Sequence, residues 1–276
     1  MSSNPFDLTG KVAIVTGSGA HGGIGHALAL GLARYGADVV ATDIDEEGAR
    51  ITAREIEALG RRTIAVRCDT GNAEDIAELF AQCDRAFGRI DILVNNAGIP
   101  SHAHPEELAL EEWNRVMRIN VTGYFLCAQQ AIRRMLKQGT GGSIINISSI
   151  NSTRASGRGN LAYSVSKGAV NQLTHELAVE FAGKGIRVNA ILPAQVRTPA
   201  LQALIDNPQF DSKSLIERFL SGIPINRLIE PEDLVVPVVF LASDGAAAVT
   251  GVLLPVDGGN QALNAGGSHI WPSEPR

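Results

Sequence analysis

The stretch "KVAIVTGSGAHGGIGHALALGLARYG", residues 11–36, decides the fold of this chain. It starts with a short β-branched run, passes through a glycine-rich turn and becomes a helical pattern that stops at Gly36. A strand that leads through glycines into a helix brings helix N-terminal amides close to phosphate groups. The sequence therefore predicts a dinucleotide-binding turn.

Two glycine triplets in this turn compete for that role. Gly17, Gly19 and Gly22 have the G-x-G-x-x-G spacing, whereas residues 23–25, Gly-Ile-Gly, open the helix itself. Glycine-rich loops arise often by chance, so a second signal is needed. Asp43 supplies it, because it ends the next strand candidate at about the distance of a ribose-binding acid.

The role of Asp43 decides the cofactor. A carboxylate there accepts hydrogen bonds from both ribose hydroxyls of NAD and repels the 2′-phosphate of NADP. No Arg or Lys stands in the turn or beside Asp43, so we expect NAD. The alternative is that Asp43 only caps the following helix, whose first turn is rich in Glu.

Strand and helix patterns alternate outward from this turn. Apolar runs without a period of two are typical of parallel strands covered on both faces. We therefore predict an α/β fold: a single Rossmann-type, doubly wound parallel sheet of about seven strands flanked by helices, in one domain over residues 1–276. The strand candidates begin at residues 11, 38, 63, 91, 143, 186 and 251.

Composition excludes several other classes of protein. The chain has 276 residues, 45% hydrophobic and 19% charged, with a net charge of −5, which argues against a nucleic-acid surface and against disorder. It lacks a signal-peptide pattern and an apolar run long enough to cross a membrane, so we expect a cytoplasmic protein. Its three cysteines are unclustered, so we expect buried thiols and no metal site.

Several motifs in order resemble the short-chain dehydrogenases/reductases. They run from about Lys11 to Gly259 and are the glycine turn after "VTG", "CDT" at 68–70, "NNAG" at 95–98, "RINVTG" at 118–123, "NISS" at 146–149, "YSVSK" at 163–167, "IRVNAILPAQVRTP" at 186–199 and "LLPVDGG" at 253–259. The resemblance implies an oxidoreductase of alcohol or carbohydrate metabolism that acts on CH–OH groups. It also implies a homotetramer or homodimer.

The family's roles carry over to matching positions. Tyr163 is the expected acid/base, Lys167 its partner, Ser149 the substrate anchor and Asn120 the holder of a relay water. The pattern and the resemblance together place these residues at the cofactor: Gly17, His21, Gly23, Ile24, Gly25, Asp43, Asp69, Thr70, Asn96, Gly98, Tyr163, Lys167, Val196 and Thr198.

Three departures from the family pattern affect this site. The glycine turn is two residues longer than usual, which brings His21 toward the pyrophosphate. The stretch between the serines and Tyr163 is one residue longer, which favours Ser149 over Ser148 as the anchor. An alanine, Ala194, replaces the usual glycine after the sixth strand and adds a methyl group beside the nicotinamide.

The spacing of Tyr163 and Lys167 has its own chemical meaning. Residues four apart on a helix share a face, so the ammonium lies beside the phenol and lowers its pKa. Tyr163 then takes the proton of a substrate hydroxyl while a hydride passes to the cofactor. A solvent-facing pair is the alternative for this spacing alone.

The substrate side is less defined by sequence. Asn151, Arg154 and Gln195, with Arg158, favour a sugar, polyol or hydroxy acid, although each arginine alone fits a solvated loop charge. Residues 200–222 read either as a substrate lid or as a pair of packed helices. The C-terminal extension, 260–276 with Trp271, either docks on a neighbouring subunit or is disordered.

Two other functions compete with an NAD-dependent dehydrogenase. The first is an NADPH-dependent ketone reductase of the same family, against which Asp43 argues. The second is a non-catalytic NAD-binding sensor, which would need neither Ser149 nor the pair Tyr163 and Lys167.

Overall fold

The computed structural model describes residues 4–157, 159–209 and 211–264. Within these residues, seven parallel strands form a sheet in the order β3-β2-β1-β4-β5-β6-β7. The doubly wound Rossmann-type sheet and all seven predicted strands are confirmed. The strands are β1 Val12–Thr16, β2 Asp38–Asp43, β3 Thr63–Arg67, β4 Ile92–Asn95, β5 Gly142–Ile147, β6 Ile186–Pro193 and β7 Leu253–Val256.

Helices cross over between consecutive strands on both faces of the sheet. They are α1 Ile24–Arg34, α2 Glu46–Ala58, α3 Ala73–Phe87, α4 Leu110–Met117, α5 Gly123–Gln138, α6 Leu161–Phe181, α7 Pro199–Ile205, α8 Ser212–Leu220 and α9 Val235–Ala242. A π-helical segment, Arg118–Thr122, joins α4 to α5. The long helical pattern of residues 111–139 is therefore continuous, with one wider turn in it.

The strands are apolar along their length because both faces of the sheet are covered. In β1, Ala13 and Val15 lie in the core that α1 and α9 complete. The alternate residues, Val12 and Ile14, lie in a second core that α3 and α5 complete. This two-sided burial explains why the strand sequences do not alternate between polar and apolar residues.

The order of the strands places the site. The chain runs from β1 through β2 to β3 on one side, then returns to β4 beside β1 and continues to β7. The loops after β1 and β4 therefore part in opposite directions and leave a crevice at the carboxyl ends of the strands.

Residues 200–222 hold most of α7 and the whole of α8. Thr198 caps α7 by accepting a hydrogen bond from the Leu201 amide, and Pro199 takes the first helical position. Leu215 of α8 is buried. These are two short helices, and their movement as a lid stays a prediction.

Three sequence predictions concern residues outside the described ones: the contacts of Arg158, of Trp271, and of the C-terminal extension beyond residue 264. Cys68, Cys83 and Cys127 are buried and free, as expected. None of the helices in the described residues combines the length and hydropathy that a membrane span requires.

Candidate active site

A cleft of about 680 Å³ opens at the carboxyl ends of the strands. Gly17, at φ +67°, lies so close to the loop after β4 that a Cβ would stand 2.8 Å from the Ala97 Cα. A Cβ on Gly25 would stand 2.1 Å from the Gly17 carbonyl oxygen. These glycines bring three backbone segments together in a way that any side chain would block.

The structure chooses between the two glycine triplets. Gly23, Ile24 and Gly25 line the cleft at the start of α1, where no side chain caps the helix. The Gly19 amide instead donates to Asp43, and the Gly22 amide to His26. The uncapped amides of α1 are therefore the donors positioned for an anion.

His21 does not lie among the residues that line the cleft. Its Nε2 is 3.5 Å from a Glu55 oxygen, and its ring stacks beside His26 with centroids 4.7 Å apart. Potential ligand atoms of these three residues lie within 4.8 Å of one another. Because His26 Nδ1 accepts from the Gly22 amide, its proton is on Nε2 and points to Glu55, 2.9 Å away. The cluster is thus an internal hydrogen-bond network.

Asn96 fastens the glycine turn to β4. Its Nδ2 donates to the carbonyl oxygens of Thr16 and Gly17, each at 2.9 Å. Its backbone amide donates to the Thr16 hydroxyl. The Asn96 side chain therefore holds the turn, while Gly98 in the same loop lines the cleft.

Asp43 lines the cleft at the end of β2. One carboxylate oxygen accepts from the Gly19 amide at 2.8 Å and the other from the Asp45 amide at 3.0 Å. The cap of α2 is Asp45, which accepts from the Gly48 amide. Asp43 is not that cap, and the ion pairs found in the described residues do not neutralise it.

Asp69 and Thr70 line the same end of the cleft beyond β3. An Asp69 oxygen accepts from the Gly71 amide at 2.8 Å, which fixes the turn into α3. The two predicted carboxylates, Asp43 and Asp69, therefore lie at the same end of the cleft.

Tyr163 and Lys167 lie at the other end, on the first turns of α6. The Lys167 ammonium is buried and lies 5.7 Å from the centre of the Tyr163 ring. It donates to the Ile147 carbonyl at 2.7 Å and to the Tyr124 hydroxyl at 3.2 Å. The pair faces a cleft and not the bulk solvent.

Burial dominates the protonation of this pair. It raises the pKa of Tyr163, and a hydrogen bond with the Ser149 hydroxyl acts in the opposite direction. It lowers the pKa of Lys167 to about 7. The expected lowering of the tyrosine pKa by Lys167 is therefore not what the protein groups alone produce.

The two serines after β5 have different surroundings. Ser148 donates its hydroxyl to Asn171 at 2.7 Å and contacts the Lys167 carbonyl at 3.2 Å, so it ties β5 to α6. Ser149 accepts a hydrogen bond from the Asn151 amide, and its hydroxyl reaches Tyr163. The geometry therefore favours Ser149 over Ser148 as the group that meets a substrate.

Asn120 sits in the π-helical segment, fully buried. Its Oδ1 accepts from the Ile99 amide and its Nδ2 donates to the Ile99 carbonyl, both at 2.9 Å. The Nδ2 also donates to Ser166 in α6. The side chain thus locks the loop after β4 to α6, and its role toward a relay water stays a prediction.

The loop after β6 lines the part of the cleft that holds Tyr163 and Lys167, which we call its reactive end. Val196 and Thr198 line it, as predicted, together with Ala194, whose methyl group is therefore at the cleft wall. Val196 forms a bridge with Ile229, and the Arg197 amide donates to the Ile229 carbonyl. This backbone pairing with Ile229 holds the loop after β6 in place.

Comparisons with known proteins agree with this geometry. A family model described as enoyl-(acyl carrier protein) reductase matches residues 17–261. The chain is 38% identical over 255 residues to glucose 1-dehydrogenase 2 of Bacillus subtilis, which covers 92% of this chain and 95% of that protein. The chain belongs to the short-chain dehydrogenases/reductases.

Solved structures of the family have the same fold. A short-chain type dehydrogenase/reductase from Mycobacterium marinum has a TM-score of 0.86 at 35% identity, over 93% of this chain and 97% of that one. A gluconate 5-dehydrogenase from Burkholderia cenocepacia, solved with NADP and tartrate, has a TM-score of 0.85 at 35% identity, over 94% and 98%. Short-chain dehydrogenases/reductases use nicotinamide cofactors, and the solved gluconate 5-dehydrogenase contains NADP.

The predicted substrate residues are not brought together. Asn151, Arg154 and Gln195 are absent from the cleft lining. Arg154 is exposed and donates to the Gln261 carbonyl at 3.0 Å, so it holds the C-terminal segment. The Oε1 of Gln195 is buried without a hydrogen-bond partner among the described residues.

In this short-chain dehydrogenase/reductase, the contact of Tyr124 with Lys167 was not predicted from the sequence. Its hydroxyl lies against Lys167, yet it stands in a helix 43 residues earlier in the chain. The signal available was its position four residues after Asn120, on the same helical face. Tyr124 itself does not line the cleft; the lining residues that were not predicted include Ala20, Ile44, Cys68, Ile99, Pro100, Arg115, Ile119, Ile147, Pro199 and Ala200.

Proposed function

We propose that this protein is an NAD-dependent dehydrogenase that transfers a hydride between a secondary alcohol and nicotinamide, with Tyr163 as acid/base. One observation carries the proposal. Ser149, Tyr163 and Lys167 line the same cleft whose far end is the glycine turn and Asp43. The turn and Asp43 would hold the nucleotide, and Ser149, Tyr163 and Lys167 would meet the reacting groups at the other part of the same cleft.

The residues at the turn fit a dinucleotide. The cradle between Gly17 and Gly25 has no space for a Cβ, and the α1 amides carry no capping side chain. These amides would hold the pyrophosphate, while Asp43 would hold the adenine ribose. When bound, NAD supplies a nicotinamide ring that accepts or donates the hydride.

The chain's own groups handle the proton. In reduction the Tyr163 phenol would give its proton to the alkoxide oxygen and be left as the phenolate; in oxidation that phenolate would take the proton from the substrate hydroxyl, while Ser149 would donate a hydrogen bond to the same oxygen. The Lys167 ammonium would stabilise the phenolate form of Tyr163, because its positive charge lies 5.7 Å from the centre of that ring. Asn120 holds the loop after β4 against α6 and would keep these two segments in fixed positions relative to each other.

Asp43 supports NAD over NADP. Its carboxylate lines the cleft, and neither oxygen is paired with a Lys or Arg among the ion pairs of the described residues. A 2′-phosphate would meet an uncompensated negative charge there. Because the gluconate 5-dehydrogenase relative was solved with NADP, an NADPH-dependent reductase is the competing proposal.

The substrate class rests on the relatives and on the cleft. Glucose 1-dehydrogenase and gluconate 5-dehydrogenase act on a sugar and a sugar acid by their names. We extend this class to the present chain as sugar, polyol or hydroxy-acid alcohols. A non-catalytic sensor is less consistent with three catalytic side chains that meet in one cleft.

Assembly and location complete the proposal. Exposed apolar side chains on α6, including Val179 at 82% exposure, favour burial between subunits. We propose a cytoplasmic homotetramer or homodimer. Light scattering after size-exclusion chromatography tests the assembly, since a monomer at micromolar concentration would contradict it.

The function is tested with the tyrosines. The chain has three, so Tyr163→Phe can be paired with Tyr35→Phe, the same change at the end of α1. We expect Tyr163→Phe to bind NAD⁺ normally and to lose more than 99% of turnover, about the value of a general acid/base. Turnover is followed at 340 nm with D-glucose, D-gluconate, polyols and hydroxy acids, each with NAD⁺ and NADP⁺. Near-normal turnover of Tyr163→Phe would reject the mechanism.

A further inference from the structure

Tyr124 is a buried polar group beside Lys167 that the proposed mechanism does not use. It lies on the first turn of α5 and is 2% exposed. Its hydroxyl is 3.0 Å from the Ile147 carbonyl and 3.2 Å from the Lys167 ammonium. The same carbonyl accepts from Lys167 at 2.7 Å, so three polar groups form a closed triangle.

The protons of this triangle can be assigned. A tyrosine hydroxyl has one proton, and the carbonyl of Ile147 can only accept. The Tyr124 proton therefore points to Ile147, and its oxygen lone pair faces the Lys167 ammonium. Two of the three N–H groups of Lys167 donate to Ile147 and Tyr124, so one remains for the cleft.

In the part of the chain that the structure describes, Lys167 forms no ion pair. The ionisable groups that act on Tyr124 are Tyr163 and Cys127, and the Tyr163 ring also lies beside Lys167. Burial raises the pKa of both phenols and of the Cys127 thiol, so all three are neutral near pH 7. The groups that accept from the Lys167 nitrogen are therefore neutral oxygens, those of Ile147 and Tyr124.

The ring of Tyr124 contributes as well as the hydroxyl. The ammonium lies 4.9 Å from the centre of the Tyr124 ring, within the range of a cation–π contact. The corresponding distance to the Tyr163 ring is 5.7 Å. The ammonium thus lies closer to the centre of the Tyr124 ring than to that of the Tyr163 ring.

We propose that Tyr124 is a positioning residue, which holds the Lys167 ammonium protonated and turned toward the cleft. The proposal rests on the proposed function for its catalytic meaning, but the contact itself does not need a substrate. Tyr124 acts through Lys167 and has no reacting atom of its own. Its hydroxyl accepts a charge-assisted hydrogen bond that no other side chain in the described residues offers.

The pKa of Lys167 can be measured directly. The chain has only five lysines, so labelling with lysine carrying ¹³C at Cε gives five signals, and Lys167→Arg identifies the one of interest. Burial lowers the pKa of Lys167 to about 7, far from the usual value near 10.5. Tyr124→Phe keeps the ring and removes the hydroxyl, and we expect it to lower this pKa by about one pH unit more. Tyr35→Phe is the matched control and should leave it unchanged.

Kinetics give an independent readout. Below the pKa of Lys167 the ammonium is protonated with or without Tyr124, so turnover of Tyr124→Phe should match wild type at pH 5.5. Above neutral pH the variant loses the productive charge, and we expect about a tenfold lower kcat at pH 8, with KM for NAD⁺ changed less than twofold. The alcohol used is the one that wild type oxidises fastest.

The outcomes separate the two proposals. If the Lys167 signal titrates alike in wild type and Tyr124→Phe, or if kcat falls equally at all pH values, the positioning role is wrong. If Tyr163→Phe stays active, the proposed function fails whatever Tyr124 does. Should Tyr124→Phe not fold, 3-fluorotyrosine in the Tyr163→Phe background weakens the same acceptor, and an unchanged Lys167 pKa there would overturn the role.

Discussion

Replacing Asp43 by asparagine removes the charge that we hold responsible for NAD preference and keeps the shape of the side chain. The asparagine Oδ1 can still accept from the Gly19 amide, which donates to Asp43 at 2.8 Å. The turn should therefore keep its conformation. Only the electrostatic part of cofactor selection then changes.

The size of the effect follows from Coulomb's law. A carboxylate and a phosphate charge about 4 Å apart repel by about 1 kcal/mol in water and about 4 kcal/mol near a protein surface. Asp43 is half-buried, so an intermediate value of about 2 kcal/mol applies. We expect kcat/KM for NADP⁺ to rise about 30-fold in Asp43→Asn. For NAD⁺ it should fall about fivefold, since a neutral acceptor replaces a charged one.

The assay is steady-state oxidation of one alcohol with each cofactor at fixed ionic strength. Asp45→Asn is the control, because it removes an equal charge two residues away, and asparagine caps α2 as well as aspartate does. It should leave the ratio of the two kcat/KM values within twofold. A ratio in Asp43→Asn that also stays within twofold of wild type would refute the assignment of Asp43.

Three further predictions concern the turn, the serines and the buried lysine. Gly25→Ala should weaken NAD⁺ binding more than 100-fold by calorimetry, because its Cβ would lie 2.1 Å from the Gly17 oxygen, whereas Gly183→Ala meets nothing within 4 Å and should bind normally. Ser149→Ala should lower kcat about 100-fold with little change in melting temperature, while Ser148→Ala, which breaks the bond to Asn171, should mainly lower melting temperature; the reverse pattern would exchange their roles. The unfolded chain binds the Lys167 proton more tightly than the folded one, so wild type gains stability as pH rises from about 7 toward the usual lysine pKa. Lys167→Met should therefore be more stable than wild type by about 2 kcal/mol at pH 6 in urea unfolding, and the difference should shrink by pH 10.

The fold was predictable because its signals are local. Each strand is a short apolar run, and α1 and α2 are followed by Gly36 and Gly60, both of which have positive φ. The π-helical turn around Asn120 was not predictable, since its sequence continues the helical pattern of α4 and α5. The extra width appears only once Asn120 has found Ile99 and Ser166 across the site.

The residues of the candidate site also divide into those that local spacing predicts and those that depend on distant partners. Tyr163, Lys167 and Ser149 were found because motif spacing places them on one helix and one strand end. His21 was expected toward the pyrophosphate, whereas its side chain lies against Glu55, a contact with a distant residue that the sequence cannot show. Arg154 and Tyr124 depend on partners far along the chain, Gln261 and Lys167, and such pairings have no sequence period.

The Asn96 side chain has a consequence for the energetics of cofactor binding. It fixes the turn through the Thr16 and Gly17 carbonyls by bonds internal to the protein. Little backbone entropy is then left to lose when a nucleotide arrives, so thermal stabilisation by NAD⁺ should follow simple mass action from the measured Kd. The heat-capacity change of binding should likewise reflect only the surface that cofactor and cleft bury, with no added contribution from loop folding.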